Sequence, residues 1–180
     1  MKYILFDIEA TCWDGYHSNG IQEVIELGAL ALNHYGDVQD YFLEFVRPVI
    51  NVRLSQYCRE LTGIKQSEVE SASNFEEVYD NFEAWVEPGS DTWFVSWGDF
   101  DVRILNEECQ RSMGENSMIQ NHLDLRTAYA TMKNVHPRIS LMKALEYEEK
   151  DFEGEPHRAL PDAKNMAYIF RSYFEYWKLE

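Results

Sequence analysis

The residues Tyr3-Ile4-Leu5-Phe6 run without a break into Asp7-Ile8-Glu9. A segment that is apolar at successive positions leaves no face for water. As a strand it belongs in the middle of a sheet covered on both sides. Its end is different: positions i and i+2 of a strand share a face, about 6.6 Å apart, so Asp7 and Glu9 stand together while Ile8 turns into the opposite core. Two such carboxylates either emerge into water at a strand end or repel each other in a dehydrated site. A hard divalent cation, Mg²⁺ or Mn²⁺, turns that repulsion into a binding site, because both ions take oxygen ligands.

The rest of the chain is consistent with a sheet built around this strand. Val24–Leu32 is a second strand, Tyr35-Gly36-Asp37 a hairpin turn, and Tyr41–Val46 a third strand stopped by Pro48. Trp13–Gly20 is a loop. After Leu54 the period changes. Asn74 caps an amphipathic helix carrying Phe75, Val78, Tyr79, Phe82 and Trp85. Trp93–Ser96 is a short buried strand. Helical stretches follow at Asp101–Gln110, Leu123–Met132 and Leu141–Tyr147. A last helix has apolar positions at Ala163, Met166, Ala167, Phe170, Tyr173, Phe174 and Trp177. Three strands joined by hairpins, then helices alternating with strands, specify an α/β fold: a mixed sheet, antiparallel then parallel, flanked by helices.

The length of 180 residues suits one domain, 1–180. With 16 basic and 32 acidic residues the net charge is −16, which opposes sequence-independent binding of long duplex nucleic acid. No apolar run approaches the ~18 residues of a membrane span, and the first residues are too acidic and too short for a signal peptide. Cys12, Cys58 and Cys109 are odd in number and lack CxxC spacing, so neither a disulfide framework nor a zinc knuckle is indicated. A reducing cytoplasm is the expected compartment. His17, His34 and His122 lie near turns or loop edges without metal-ligand spacing.

Two further segments bear on chemistry. In Ser96-Trp97-Gly98-Asp99-Phe100-Asp101 a buried strand gives way to a helix. Either acid could simply cap that helix; Asp99 is better placed to cap, which leaves Asp101 as the candidate third carboxylate. In Pro156-His157-Arg158-Ala159-Leu160-Pro161-Asp162-Ala163, His157 and Asp162 are five positions apart, about 140° around a single helix, and cannot converge there. Pro161 biases Leu160 toward an extended backbone. His157 then lies on a loop and Asp162 in the first turn of the last helix, where both can face one point. The plainer alternative is a surface histidine and an acid favoured by the helix dipole. Taken together, four acids can hold two cations about 3.5–4 Å apart, and a neutral histidine can accept a proton.

Asp7-Ile8-Glu9-Ala10-Thr11-Cys12, Asp101 after Ser96-Trp97-Gly98, and His157 with Asp162 resemble the DEDDh class of 3′–5′ exonucleases, which have the ribonuclease H-like fold. The similarity is to the histone-mRNA and small-RNA (enhanced-RNAi) branch and to bacterial KapD-like proteins. It is carried also by Cys58-Arg59-Glu60-Leu61-Thr62-Gly63-Ile64 and by Pro156–Asn165, and it spans nearly the whole chain in order. The resemblance implies that Asp7, Glu9, Asp101 and Asp162 hold two divalent metal ions, that His157 is the general base, and that nucleoside 5′-monophosphates are released from single-stranded 3′ ends, RNA favoured over DNA. Pro161 departs from the pattern, standing where many members have a polar residue.

For the nucleotide, Trp97 is a candidate stacking surface, with packing beside Phe94 as its ordinary alternative. The resemblance adds Leu61 and Thr62 at the terminal nucleoside; Ala10 and Thr11, following the first motif, are expected to meet the sugar through their backbone. From Leu125 to Leu145 there is no acid, but there are Arg126, Lys133, His136, Arg138 and Lys143. This stretch, with Lys133 and Arg138 foremost, either guides the strand toward the metals or is simply a solvated face. Two other functions stand beside this one: an exonuclease-like regulatory protein that binds a signalling partner, and a DNA proofreading-type exonuclease.

Overall fold

A computed structural model describes residues 1–15 and 20–177. Part of the loop expected at Trp13–Gly20, including His17, lies outside them. The elements in order are β1 (Lys2–Ala10), β2 (Val24–Leu32), β3 (Val38–Phe45), α1 (Gln56–Thr62), α2 (Gln66–Glu70), α3 (Phe75–Val86), β4 (Thr92–Ser96), α4 (Phe100–Ser112), β5 (His122–Asp124), α5 (Leu125–Lys133), α6 (Leu141–Tyr147), α7 (Ala159–Ser172) and a 3₁₀ turn (Phe174–Tyr176).

The five strands form one sheet in the order β3-β2-β1-β4-β5. β1 is central, antiparallel to β2 and parallel to β4; β3 is antiparallel to β2 and β5 parallel to β4. This is the mixed sheet expected from the sequence. The hairpin forms at Asn33–Asp37, where the Asn33 side chain accepts the Tyr35 and Asp37 amides and Gly36 takes φ 80°. Asn74 caps α3 by accepting the Glu77 amide at 3.0 Å.

Alternation along β1 and β2 assigns two cores. Ile4, Phe6 and Ile8 pack with Leu27, Ala29 and Ala31 against Phe75, Val78 and Phe82 of α3 and Ile104 and Leu105 of α4. Tyr3 and Leu5 pack with Leu30 and Leu32 against α5, α6 and α7 through Leu125, Tyr129, Leu145, Met166 and Phe170. Each fully buried side chain of this size contributes about 1.5–3 kcal/mol, so the two faces together hold β1 in place.

Three local readings are corrected. His122–Asp124 is a strand, paired with Phe94–Ser96, and the helix begins only at Leu125, where Asp124 accepts the Thr127 amide; three residues are too few to show a period of two. The last helix stops at Ser172. The chain then bends so that Phe174 meets Tyr3 at 5.4 Å and Trp177 donates to the Phe170 carbonyl at 2.6 Å. Leu160 is helical, not extended. Pro161 is the third residue of α7, where a backbone N–H has no intrahelical partner to lose.

Candidate active site

β1 outruns β4. Their pairing ends at Leu5 with Val95, while β1 continues to Ala10. Because the two strands are parallel, their carboxyl ends lie at one edge, the usual position for a ligand site in such sheets. The free Ile8 amide beyond the last pair donates to Asp101 Oδ1 at 3.3 Å. Asp101, in the first turn of α4, is thereby held against β1 and is 5% exposed. Asp99 occupies the cap position of α4 but makes no side-chain cap bond. Its carboxylate points outward, 3.8 Å from Arg126. Asp101, not Asp99, thus faces β1, and capping is not what separates them.

The opposite register explains how α7 arrives. On the face shared by β1 and β2, Tyr3 pairs with Leu32 and Leu5 with Leu30; the series continues with Asp7 opposite Gly28 and Glu9 opposite Glu26. The face therefore passes from apolar to acidic along its length. A Cβ at Gly28 would lie 2.4 Å from the Leu160 nitrogen and 2.6 Å from the Ala159 carbonyl carbon. Only glycine allows the start of α7 to cross β2 there. That crossing brings Asp162 and His157 to the acids of β1. The His157 amide donates to Asp162 Oδ2 at 3.2 Å, and His157 itself takes φ 61°.

Asp7, Glu9, Asp101, His157 and Asp162 consequently line one cleft of about 370 Å³. Burial and mutual repulsion shape its electrostatics. Burial first, then Asp162, push Glu9 up to about 9. Burial raises Asp101 to about 7, opposed by the Ile8 amide, and raises Asp162 to about 7. Asp7 is held well above the usual carboxylate range by burial, then by Asp101 and Glu9. Such a set suits a hard cation, which removes the repulsion and supplies the charge that burial withholds. One ligand atom from each of Glu9, His157 and Asp162 lies within 4.8 Å of the others. Asp7 and Asp101 face the same cleft but stand outside that tight set.

The expected nucleotide contacts divide. Trp97 lines the cleft. Its indole donates to the Ile139 carbonyl and packs 5.9 Å from Tyr129, on the face opposite Phe94. Leu61 and Thr62 do not line the cleft. Thr62 is buried, its hydroxyl donating to the Cys58 carbonyl and accepting the Ile64 amide. Ala10 is buried, and Thr11 is tied to Glu23 through both its amide and its hydroxyl and to Gln22 through its carbonyl. Lys133 is committed within the fold, 2.9 Å from Glu148 and 2.5 Å from the Tyr173 hydroxyl. These contacts set part of its charge against Glu148. Arg138 is exposed.

The apolar walls were missed. Phe100, Leu141, Met142 and Phe152 line the cleft, with Phe100 38% and Met142 48% exposed. A phenylalanine beside Asp101 at an exposed helix start was the available signal. Gly28 was another, since a glycine inside an apolar strand marks a close approach of backbone.

A mixed sheet with acids from β1, α4 and α7 and a histidine converging at its carboxyl edge has the layout of a ribonuclease H-like nuclease fold. The chain belongs to the exonuclease family of RNase T type, whose model matches residues 4–170. The 3′-5′ exoribonuclease 1 of Rattus norvegicus is 33% identical over 174 residues, covering 92% of this chain and 50% of that protein. The ERI1 exoribonuclease 2 of Xenopus laevis is 32% identical over 190 residues, covering 92% of this chain and 27% of that protein. The chain thus spans half or less of these curated relatives. Among solved structures, the nuclease domain of 3′hExo, a DEDDh family member bound to rAMP, has TM-score 0.89 at 31% identity, covering 97% of this chain and 92% of that one. Cell-death related nuclease 4 shares the fold, with TM-score 0.86 at 23% identity, covering 97% of this chain and 64% of that one. No helix among the described residues is long and apolar enough to cross a membrane.

Proposed function

We propose that this protein is a metal-dependent 3′–5′ exonuclease that removes nucleoside 5′-monophosphates from single-stranded RNA 3′ ends. The observation that carries the reading is the convergence of five side chains from three distant segments on one cleft. Relatives named as exoribonucleases, and a nuclease domain bound to rAMP, support RNA as the substrate.

Asp7, Glu9, Asp101 and Asp162 would hold two Mg²⁺ or Mn²⁺ ions. The ions, when bound, supply positive charge to the attacking, leaving and non-bridging phosphoryl oxygens. His157 accepts the proton of the attacking water on an imidazole nitrogen; its exposure at the cleft rim gives that proton a way out to solvent. The four carboxylates fix where the scissile phosphate sits. Trp97, Phe100 and Met142 offer apolar surface to the terminal nucleoside beside it, and stacking on Trp97 contributes roughly 1–3 kcal/mol. The acidic remainder of the molecule repels long nucleic acid, which favours a short single-stranded end.

The test is release of mononucleotide from a 3′-labelled RNA oligonucleotide, with Mg²⁺ or Mn²⁺ and with EDTA. Stepwise mononucleotide release that EDTA abolishes is expected. Internal cleavage, or release unaffected by EDTA, contradicts the proposal. A matched DNA oligonucleotide is expected to be the poorer substrate.

A further inference from the structure

We infer that Glu26, acting through Arg158, is a positioning residue for His157. The inference rests on the exonuclease reading above, in which His157 is the base. Glu26 is fully buried in β2, directly opposite Glu9. It does not line the cleft, and the proposed chemistry does not use it. A buried carboxylate is tolerated only when paired and hydrogen-bonded, and among the described residues its hydrogen-bond donors come from one place. Arg158 Nε lies 3.1 Å from both oxygens and Arg158 Nη2 2.6 Å from Oε1, while the Ala159 amide donates to Oε2 at 2.9 Å.

These bonds fix the turn that carries His157. Arg158 stands at the cap position of α7 and makes no side-chain cap bond of its own. Glu26 supplies the cap from the neighbouring strand, its negative charge set against the positive end of the helix. His157 is the next residue back, and its φ of 61° is a left-handed conformation that a side chain with a Cβ adopts only at a cost. Such a backbone persists where its surroundings over-determine it. Here it is held on one side by its amide bond to Asp162 and on the other by the clamped Arg158. Asp162 lies further along α7, whose Ala163, Met166, Ala167 and Phe170 are buried against the sheet. Loosening the clamp therefore moves the histidine and leaves the acid in place.

The experiment combines Glu26→Gln, Arg158→Lys and His157→Ala in the full chain, with kcat, KM and Mn²⁺ affinity measured for each folded variant. Glu26→Gln is expected to lower kcat by about tenfold to a hundredfold, the scale of a small misplacement, with KM and Mn²⁺ affinity within about twofold of wild type. In the His157→Ala background it should lower the residual rate no further. Arg158→Lys keeps the cation and the Ala159 bond, so its loss should be smaller; it carries the same test should Glu26→Gln fail to fold. An unchanged kcat overturns the inference. So does a loss that persists in full without His157, or a collapse of Mn²⁺ affinity, since either marks a general structural effect. If wild-type protein binds Mn²⁺ but releases no nucleotide, the exonuclease reading fails instead.

Discussion

Gly28 and Leu160 touch backbone to backbone: a Cβ on the first would stand 2.4 Å from the amide nitrogen of the second. The contact sets how far α7 reaches across β2, and hence where His157 and Asp162 meet Asp7 and Glu9. Gly28→Ala must push the helix start away. Overpacking of this kind costs about 1–3 kcal/mol, and nucleotide release should fall at least tenfold even in the fraction that stays folded. Thermal unfolding and turnover of the purified variant check this. A variant with wild-type melting and wild-type turnover would show that the crossing is looser than described.

The raised carboxylates make stability depend on pH in a definite direction. Glu9 titrates at about 9 and Asp101 and Asp162 at about 7, all above their ordinary values. The folded state therefore holds protons that the unfolded chain has already lost. That contribution is complete below about pH 4 and is lost as pH rises through 7 to 9. With EDTA present, Tm should fall between pH 5 and 8.5, less steeply in Asp101→Asn, and Mg²⁺ or Mn²⁺ should raise it again at pH 8.5. A metal-free Tm that climbs over this interval contradicts the site's electrostatics.

His157 and Asp101 separate by their effect on cation binding. His157→Ala should lower kcat by about 10²–10⁴-fold, the range for loss of a general base, while Mn²⁺ still binds with near wild-type affinity. Asp101→Asn should lower both turnover and affinity. Since Glu9, His157 and Asp162 also form a compact donor set, loss of Mn²⁺ binding in His157→Ala would reassign the histidine as a ligand.

Lys133 and Arg138 should no longer behave alike. Lys133 is bonded to Glu148 and Tyr173, and Glu148 also accepts the Tyr129 and Tyr173 hydroxyls. Lys133→Ala should destabilise by about 1–2 kcal/mol without changing the salt dependence of RNA binding. Arg138→Glu should leave Tm unchanged and weaken binding more at low salt than at high salt. Equal effects of the two substitutions on RNA affinity would restore both to the strand path.

What could be read from the sequence follows from which forces are local. The centrality of β1 was legible because its run is apolar on both faces. The cap at Asn74 was legible because capping acts over three residues. Asp7 and Glu9 share a face by strand geometry alone. The strand at His122–Asp124 was hidden because pairing with β4, not its own three residues, makes it a strand. The partners of Thr62 and Lys133, the Cys58 carbonyl and Glu148, were hidden for a related reason: they are set by the fold. Glu26 looked like one more acid in an acidic chain until its partner, 132 positions away, came alongside.

The most direct measurement is a crystal soaked with Mn²⁺ and adenosine 5′-monophosphate, read by anomalous scattering. Two Mn²⁺ peaks are expected in the cleft, bound by Asp7, Glu9, Asp101 and Asp162, with the phosphate between them and the base beside Trp97. Nucleotide bound away from these acids, or Mn²⁺ absent from the cleft at saturating concentration, would contradict the account.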